Sequence, residues 1–223
     1  MFVGHYGPSF AIKSVRPEIP LWLLFVAVQL VDFAWSILVL FGVEKARIVP
    51  SITTGGPFDL YYMPYTHSLV GAILWSLGAM LLTGPLFGLA IASAFWVGAA
   101  VFSHWVLDFL VHRPDLALYD DTMKVGLGLS SLPVIEFSLE AILLFAGMAL
   151  YLGVTRPINS VGRFGLPVFG LVMLAIQAFL FFGPLPGSST QLAIEVLVSY
   201  VFFTAVAASL ARQREDRTLN GKE

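Results

Sequence analysis

The sequence predicts an all-α integral membrane protein, a bundle of six transmembrane helices with a short N-terminal interfacial segment. Three observations predict it. Of 223 residues, 58% are hydrophobic, and the mean hydropathy is +0.86. Only 12% are charged, against roughly 25% in an ordinary soluble domain. Apolar stretches also recur at the length, roughly 20 residues, that a helix needs to cross a hydrocarbon core of about 30 Å. In lipid a helix satisfies its own backbone polar groups, so such stretches become helices. The same composition excludes disordered, fibrous and disulfide-stapled classes. The net charge is −2, with no basic run except at the C-terminus, so there is no electrostatic footprint for nucleic acid. The chain has no cysteine, which removes disulfides, thiolate metal sites and Cys nucleophiles.

The elements follow in order. Residues 1–20, with Pro8, Pro17 and Pro20, predict a short interfacial helix and an extended link. The first apolar run begins only at Leu21 and is long enough to span, which is not the pattern of a cleavable signal peptide. Spans are expected near 21–42, 67–82, 86–112, 133–153, 164–182 and 192–210, a single domain over 1–211. Residues 212–223 read as a polar, disordered tail. Thr83-Gly84-Pro85 is a tight uncharged turn that makes spans two and three a helical hairpin. With six spans both termini share a side. Eight Lys and Arg lie on that side and four (Lys45, Arg47, Arg113, Lys124) on the other, which predicts cytoplasmic termini.

In so apolar a chain, an ionisable residue inside a span is a functional-site hypothesis by default. His104 and Asp108 are four apart near the outer end of the third span. They share a helix face about 6 Å apart along the axis, a spacing that suits a nitrogen and a carboxylate converging on one metal ion. A plain His–Asp hydrogen bond pinning two helices explains the pair as well. His112 continues the stripe about 12 Å above His104 on a straight helix. It is therefore expected to serve a second ion, the ligands' surroundings or the substrate. His67 opens the second span, with Thr66 a fair N-cap. The hairpin brings it to the same leaflet as His104 and Asp108. Glu136 and Glu140, one turn apart at the start of the fourth span, are candidates for the general base, and an acid at a helix N-terminus is also favourable on its own account. Asp32 lies mid-span in the first helix and must find a partner, as a ligand or as a proton relay. His5 reads as lying on the opposite side, able to join only if residues 1–20 re-enter the bundle. Arg113 could hold an anionic group such as phosphate, or snorkel to headgroups.

Thr66-His67-Ser68-Leu69 and Ser103-His104-Trp105-Val106-Leu107-Asp108, with Gly4-His5 and Asp32 ahead of them, resemble the bacterial membrane-bound metal-dependent hydrolase family over roughly residues 4 to 155. The run His112-Arg113-Pro114-Asp115-Leu116 is similar to a subgroup labelled simply membrane protein or permease. The resemblance implies a metal held by His67, His104, Asp108, Asp32 and His5. It also implies a bacterial cytoplasmic membrane location.

The expected function is hydrolysis. A cation, zinc or else manganese or iron, activates water, with Glu136 or Glu140 taking the proton. The substrate is expected to be a lipid-derived amphiphile or phosphoester at the outer leaflet, contacted by Arg113 and His112. Two alternatives stand beside this: a permease-like protein with a proton-relay path, and a structural membrane protein whose polar residues only join helices.

Overall fold

The computed structural model describes residues 1–50, 52 and 58–217. Five helices are each long and apolar enough to cross a membrane: α4 (Leu69–Phe87), α5 (Ile91–Val111), α6 (Pro133–Val154), α7 (Ser160–Phe182) and α8 (Ser189–Ala211). A pair, α2 (Leu21–Val28) and α3 (Leu30–Leu40), bent by 52° at Gln29, makes a sixth if the two helices together form one span. The chain is mostly helical, as expected, but the described residues also hold two two-stranded sheets, and the first expected span is bent into two helices.

The N-terminal segment differs most from expectation. A single 3-10 turn, Val3–His5, leads into α1 (Tyr6–Val15), and both are buried inside the bundle rather than lying at its surface. Val3, Tyr6 and Phe10 are completely enclosed. Two glycines permit this. A Cβ on Gly7 or on Gly147 of α6 would run into the backbone of the other helix, so α1 and α6 approach as only small residues allow. The Tyr6 and Phe10 rings then meet Phe25 of α2 at centroid distances of 4.5 and 5.3 Å. At the far end of α1, Ser93 donates to Glu18 (2.5 Å), tying the link to the start of α5. The segment thus runs from mid-bundle to the end opposite the candidate site.

Three further boundaries differ. The helical hairpin turns at Gly88 rather than at 83–85. Pro85 sits in the last turn of α4, and Gly88 (φ 66°) closes the helix in the left-handed conformation that glycine adopts without penalty. α4 is capped by Ser68, whose hydroxyl accepts Gly71 N–H at 3.0 Å, so His67 precedes the cap instead of occupying the first turn. In the tail, β4 (Arg214–Asp216) pairs antiparallel with β3 (Thr155–Pro157), so these residues are ordered. Residues 218–223 of the expected tail lie outside the described residues. At the other end, β1 (Lys45–Ile48) and β2 (Phe58–Tyr62) form a hairpin between α3 and α4.

Candidate metal centre

All four histidines of the chain lie in one buried cluster with Asp32 and Asp108. Each arrives on a different kind of support. α5 presents His104 and Asp108 on one face, as the spacing predicts, with His104 about 20 Å along the helix from its start. Asp32 lies in the first turn of α3, just past the bend. His67 sits before the α4 cap, held from α5 by Trp105 Nε1–H donating to its carbonyl (3.1 Å). His112 caps the end of α5 with an extended backbone (ψ 141°), and its carbonyl accepts Gly128 N–H. Its N–H still closes the last helical bond to the Asp108 carbonyl (2.7 Å), so the ring stays on the face of Asp108, with Nε2 3.8 Å from Asp108 Oδ2. His5 Nε2 is 3.1 Å from Asp108 Oδ1, which overturns its expected place on the opposite side. Its ring lies against that of His104, centroids 3.8 Å apart. The Met1 amino nitrogen also meets Asp108 Oδ1, at 2.8 Å.

The outer partners of the rings fix where their protons sit. His104 Nδ1 is 2.7 Å from the Val28 carbonyl at the α2–α3 bend, and a carbonyl can only accept. His112 Nδ1 is 2.9 Å from Asp115 Oδ1, again an acceptor. His67 Nδ1 is 2.7 Å from Thr66 Oγ1, whose own hydrogen goes to Glu44 Oε2 at 2.6 Å. In all three rings Nδ1 carries the hydrogen, so the neutral ring turns a bare Nε2 lone pair inward. Those lone pairs face carboxylate oxygens, which are also acceptors. His67 Nε2 is 3.1 Å from Asp32 Oδ1 and 3.6 Å from Asp108 Oδ2. His104 Nε2 is 3.5 and 3.1 Å from the same two oxygens. His104 Nε2 and His5 Nε2 are buried and make no hydrogen bond. Acceptors facing acceptors away from water repel unless a cation, or a second proton on the ring, lies between them. With each ring held by an outer acceptor, the group is one that could hold a metal ion.

The spacing fits a small ion. The four nitrogen–oxygen separations are 3.1, 3.6, 3.5 and 3.1 Å. Ligands about 2.0–2.1 Å from a tetrahedral centre lie about 3.3–3.4 Å apart. Two carboxylates match the charge of a divalent cation beside neutral imidazoles, and the Met1 ammonium on Asp108 adds one further positive charge. Sequence reasoning found His67, His104, Asp108 and Asp32 but missed the outer partners. Of these Glu44 left a faint signal, an acid just past the C-terminal end of α3, where the helix dipole disfavours it.

Beside the cluster lies a cavity of about 210 Å³ between α3, α6, α7 and α8. Its floor is Asp32, His67, Asp108 and His112, and its walls are largely apolar, with Trp35, Leu180, Phe181 and Val196 among them. Glu136 and Glu140 both line it but differ in use. Glu140 accepts Phe2 N–H, Gly4 N–H and the Gln177 amide. Glu136 Oε2 is buried and has no hydrogen-bond partner among the described residues. Arg113 borders the cavity with its guanidinium bonded to Asp59 and to Asp115 (3.0 Å). Both groups near the mouth lie outside the spans. Burial lowers the affinity of the His112 ring for a proton, but Asp108 and Asp115 outweigh it and raise the pKa above the usual value. Burial pushes Asp115 up, but His112 and Arg113 hold its carboxyl below the ordinary range.

No family model, curated protein or solved structure matches the chain. The functional reading therefore rests on the residues and their geometry.

Proposed function

We propose that this chain is an integral membrane metal-dependent hydrolase, related to the bacterial membrane-bound metal-dependent hydrolases that its His and Asp motifs resemble. One observation carries the reading: three imidazoles whose hydrogens are drawn outward turn their Nε2 atoms onto the carboxylates of buried Asp108 and half-buried Asp32. Asp32, His67, His104 and Asp108 would hold the ion, with His5 beside them. A nitrogen and oxygen ligand set without sulfur suits zinc, and manganese or iron as alternatives. Bound there, a divalent cation would supply Lewis acidity, making water a nucleophile at neutral pH and polarising the bond to be cleaved.

The chain's own residues do the rest. Glu136 Oε2, without a hydrogen-bond partner at the cavity wall, accepts the proton that water gives up. Tyr200 donates to Asp32 Oδ2 (2.5 Å) and keeps that carboxylate turned to the cluster. His112, held by Asp115, borders the substrate cavity. The apolar walls accept the hydrocarbon part of an amphiphilic ester or phosphoester. Arg113, with two carboxylates already on it, shapes the mouth. The location proposed is a bacterial cytoplasmic membrane with the β3–β4 end inside.

Metal analysis of the purified protein, alongside hydrolysis of fluorogenic lipid esters and phosphoesters, tests this. Wild type is expected to hold stoichiometric metal and His104→Ala or Asp108→Ala to lose it. Glu136→Gln keeps the metal and loses hydrolysis on the order of 100-fold or more. Protein without metal, or metal indifferent to both ligand substitutions, contradicts the proposal. One feature favours the permease reading, the broken first span beside Asp32. Metal-independent, pH-dependent flux abolished by Asp32→Asn would select it.

A further inference from the structure

Two buried glutamates each use one oxygen to gather two backbone N–H groups just ahead of a cluster histidine. Glu140 Oε2 accepts from Phe2 N (2.7 Å) and Gly4 N (3.0 Å), and His5 follows. Glu44 Oε1 accepts from Tyr65 N (2.8 Å) and Thr66 N (3.0 Å), and His67 follows. Their burial is nearly complete, 0% and 1% exposed, and neither forms an ion pair with Lys or Arg among the described residues. A buried carboxylate is costly unless hydrogen bonds satisfy it, so each is committed to the segment it holds. Both segments are ones that regular structure would not fix: a single 3-10 turn and the stretch before the α4 cap.

We propose that Glu44 and Glu140 are the positioning residues of the metal centre, Glu140 by fixing the backbone ahead of His5 and Glu44 by also setting the proton order at His67. The proposal rests on the metal reading above. At Glu44 the second oxygen matters. Oε2 can only accept, so Thr66 gives it the hydroxyl hydrogen and accepts Nδ1–H of His67 in turn. Put glutamine there, and its carbonyl can keep both backbone amides. Its NH2 then donates to Thr66 Oγ1, and the hydroxyl hydrogen, no longer taken by residue 44, is free to turn onto His67 Nδ1. The ring hydrogen moves to Nε2 and blocks the ligand position. At Glu140 both backbone bonds end on one oxygen, while the other meets only the amide of Gln177 (2.8 Å). Glutamine at 140 keeps the two backbone bonds, and Gln177 flips its amide to offer its oxygen. The same chemical change is thus damaging at 44 and tolerated at 140.

The test is zinc titration of metal-stripped protein in lipid nanodiscs, with 15N spectra of the histidine rings and thermal unfolding as controls. Glu44→Gln is expected to bind zinc about 10–100-fold more weakly, with His67 in the Nε2–H form. Glu140→Gln stays close to wild type, whereas Glu140→Leu loses affinity. Thr66→Ser binds as wild type. Thr66→Ala binds weakly and replaces Glu44→Gln in the test if that variant does not fold. On a His67→Ala background, Glu44→Gln costs no further affinity. The proposal is overturned if Glu44→Gln binds like wild type, if it adds its full loss to His67→Ala, or if Glu140→Gln is as harmful as Glu140→Leu. Wild type that binds no zinc sinks the metal reading and this proposal together. Zinc bound equally by wild type and Glu44→Gln sinks this proposal alone.

Discussion

α4 and α5 pack against each other as a hairpin, and they are near equals in apolar character. Yet 17% of the apolar stretch of α4 is buried and 50% of that of α5. In a bilayer, apolar character places a helix in the membrane but does not say which face meets protein, because lipid is as apolar as leucine. What separates the two is small and polar residues. α5 carries Ser93, Ala94, Gly98 and Ala100 on its buried side, then His104 and Asp108. α4 turns Leu74 and Leu81 outward, each 63% exposed. Its part in the site is the histidine just before it begins.

The contrast can be broken at several points. Removing Asp108 from α5 leaves the surrounding histidines without their shared carboxylate. It should abolish metal binding and lower stability by on the order of 3–5 kcal/mol, seen by chemical unfolding in mixed micelles. Gly98→Leu should cost about 1–3 kcal/mol by the same measurement. A Cβ there meets the Ser76 carbonyl and Met80 of α4, and the hairpin must part to admit a side chain. Acidification should weaken the site without touching α4. Imidazoles must be free of protons to ligate, so metal affinity should fall tenfold or more between pH 7.5 and pH 5.5. Affinity measured at pH 7.5 and 5.5 checks this. The smallest effect belongs to α4: Leu74→Ala or Leu81→Ala should change stability by less than about 0.5 kcal/mol. A large loss there would mean that this face is covered by protein rather than lipid.

Much of this was legible in the sequence, for physical reasons that also mark where legibility ends. Spans announce themselves because crossing lipid imposes length and composition on a contiguous stretch. The pairing of His104 with Asp108 follows from helical periodicity, and their meeting with His67 follows from hairpin topology. His5 could not be placed. Its segment is short, holds Gly4, Gly7 and Pro8, and is fixed by Glu140, 136 residues away from Gly4. The bend falls at Gln29, the first polar residue of an otherwise apolar run, a signal too slight on its own to mark a break. Yet that bend is where Val28 offers its carbonyl to His104. His112 lies against Asp108 and lines the cavity where α5 ends. Pro114, two residues on, disfavours a longer helix.

The most direct test of the central claim is X-ray absorption on protein purified without added chelator. The account predicts one zinc-like absorber with only nitrogen and oxygen neighbours at about 2.0–2.1 Å, and multiple scattering from at least two imidazoles that disappears in His104→Ala. A metal-free sample, or an absorber surrounded by water oxygens alone, would contradict it.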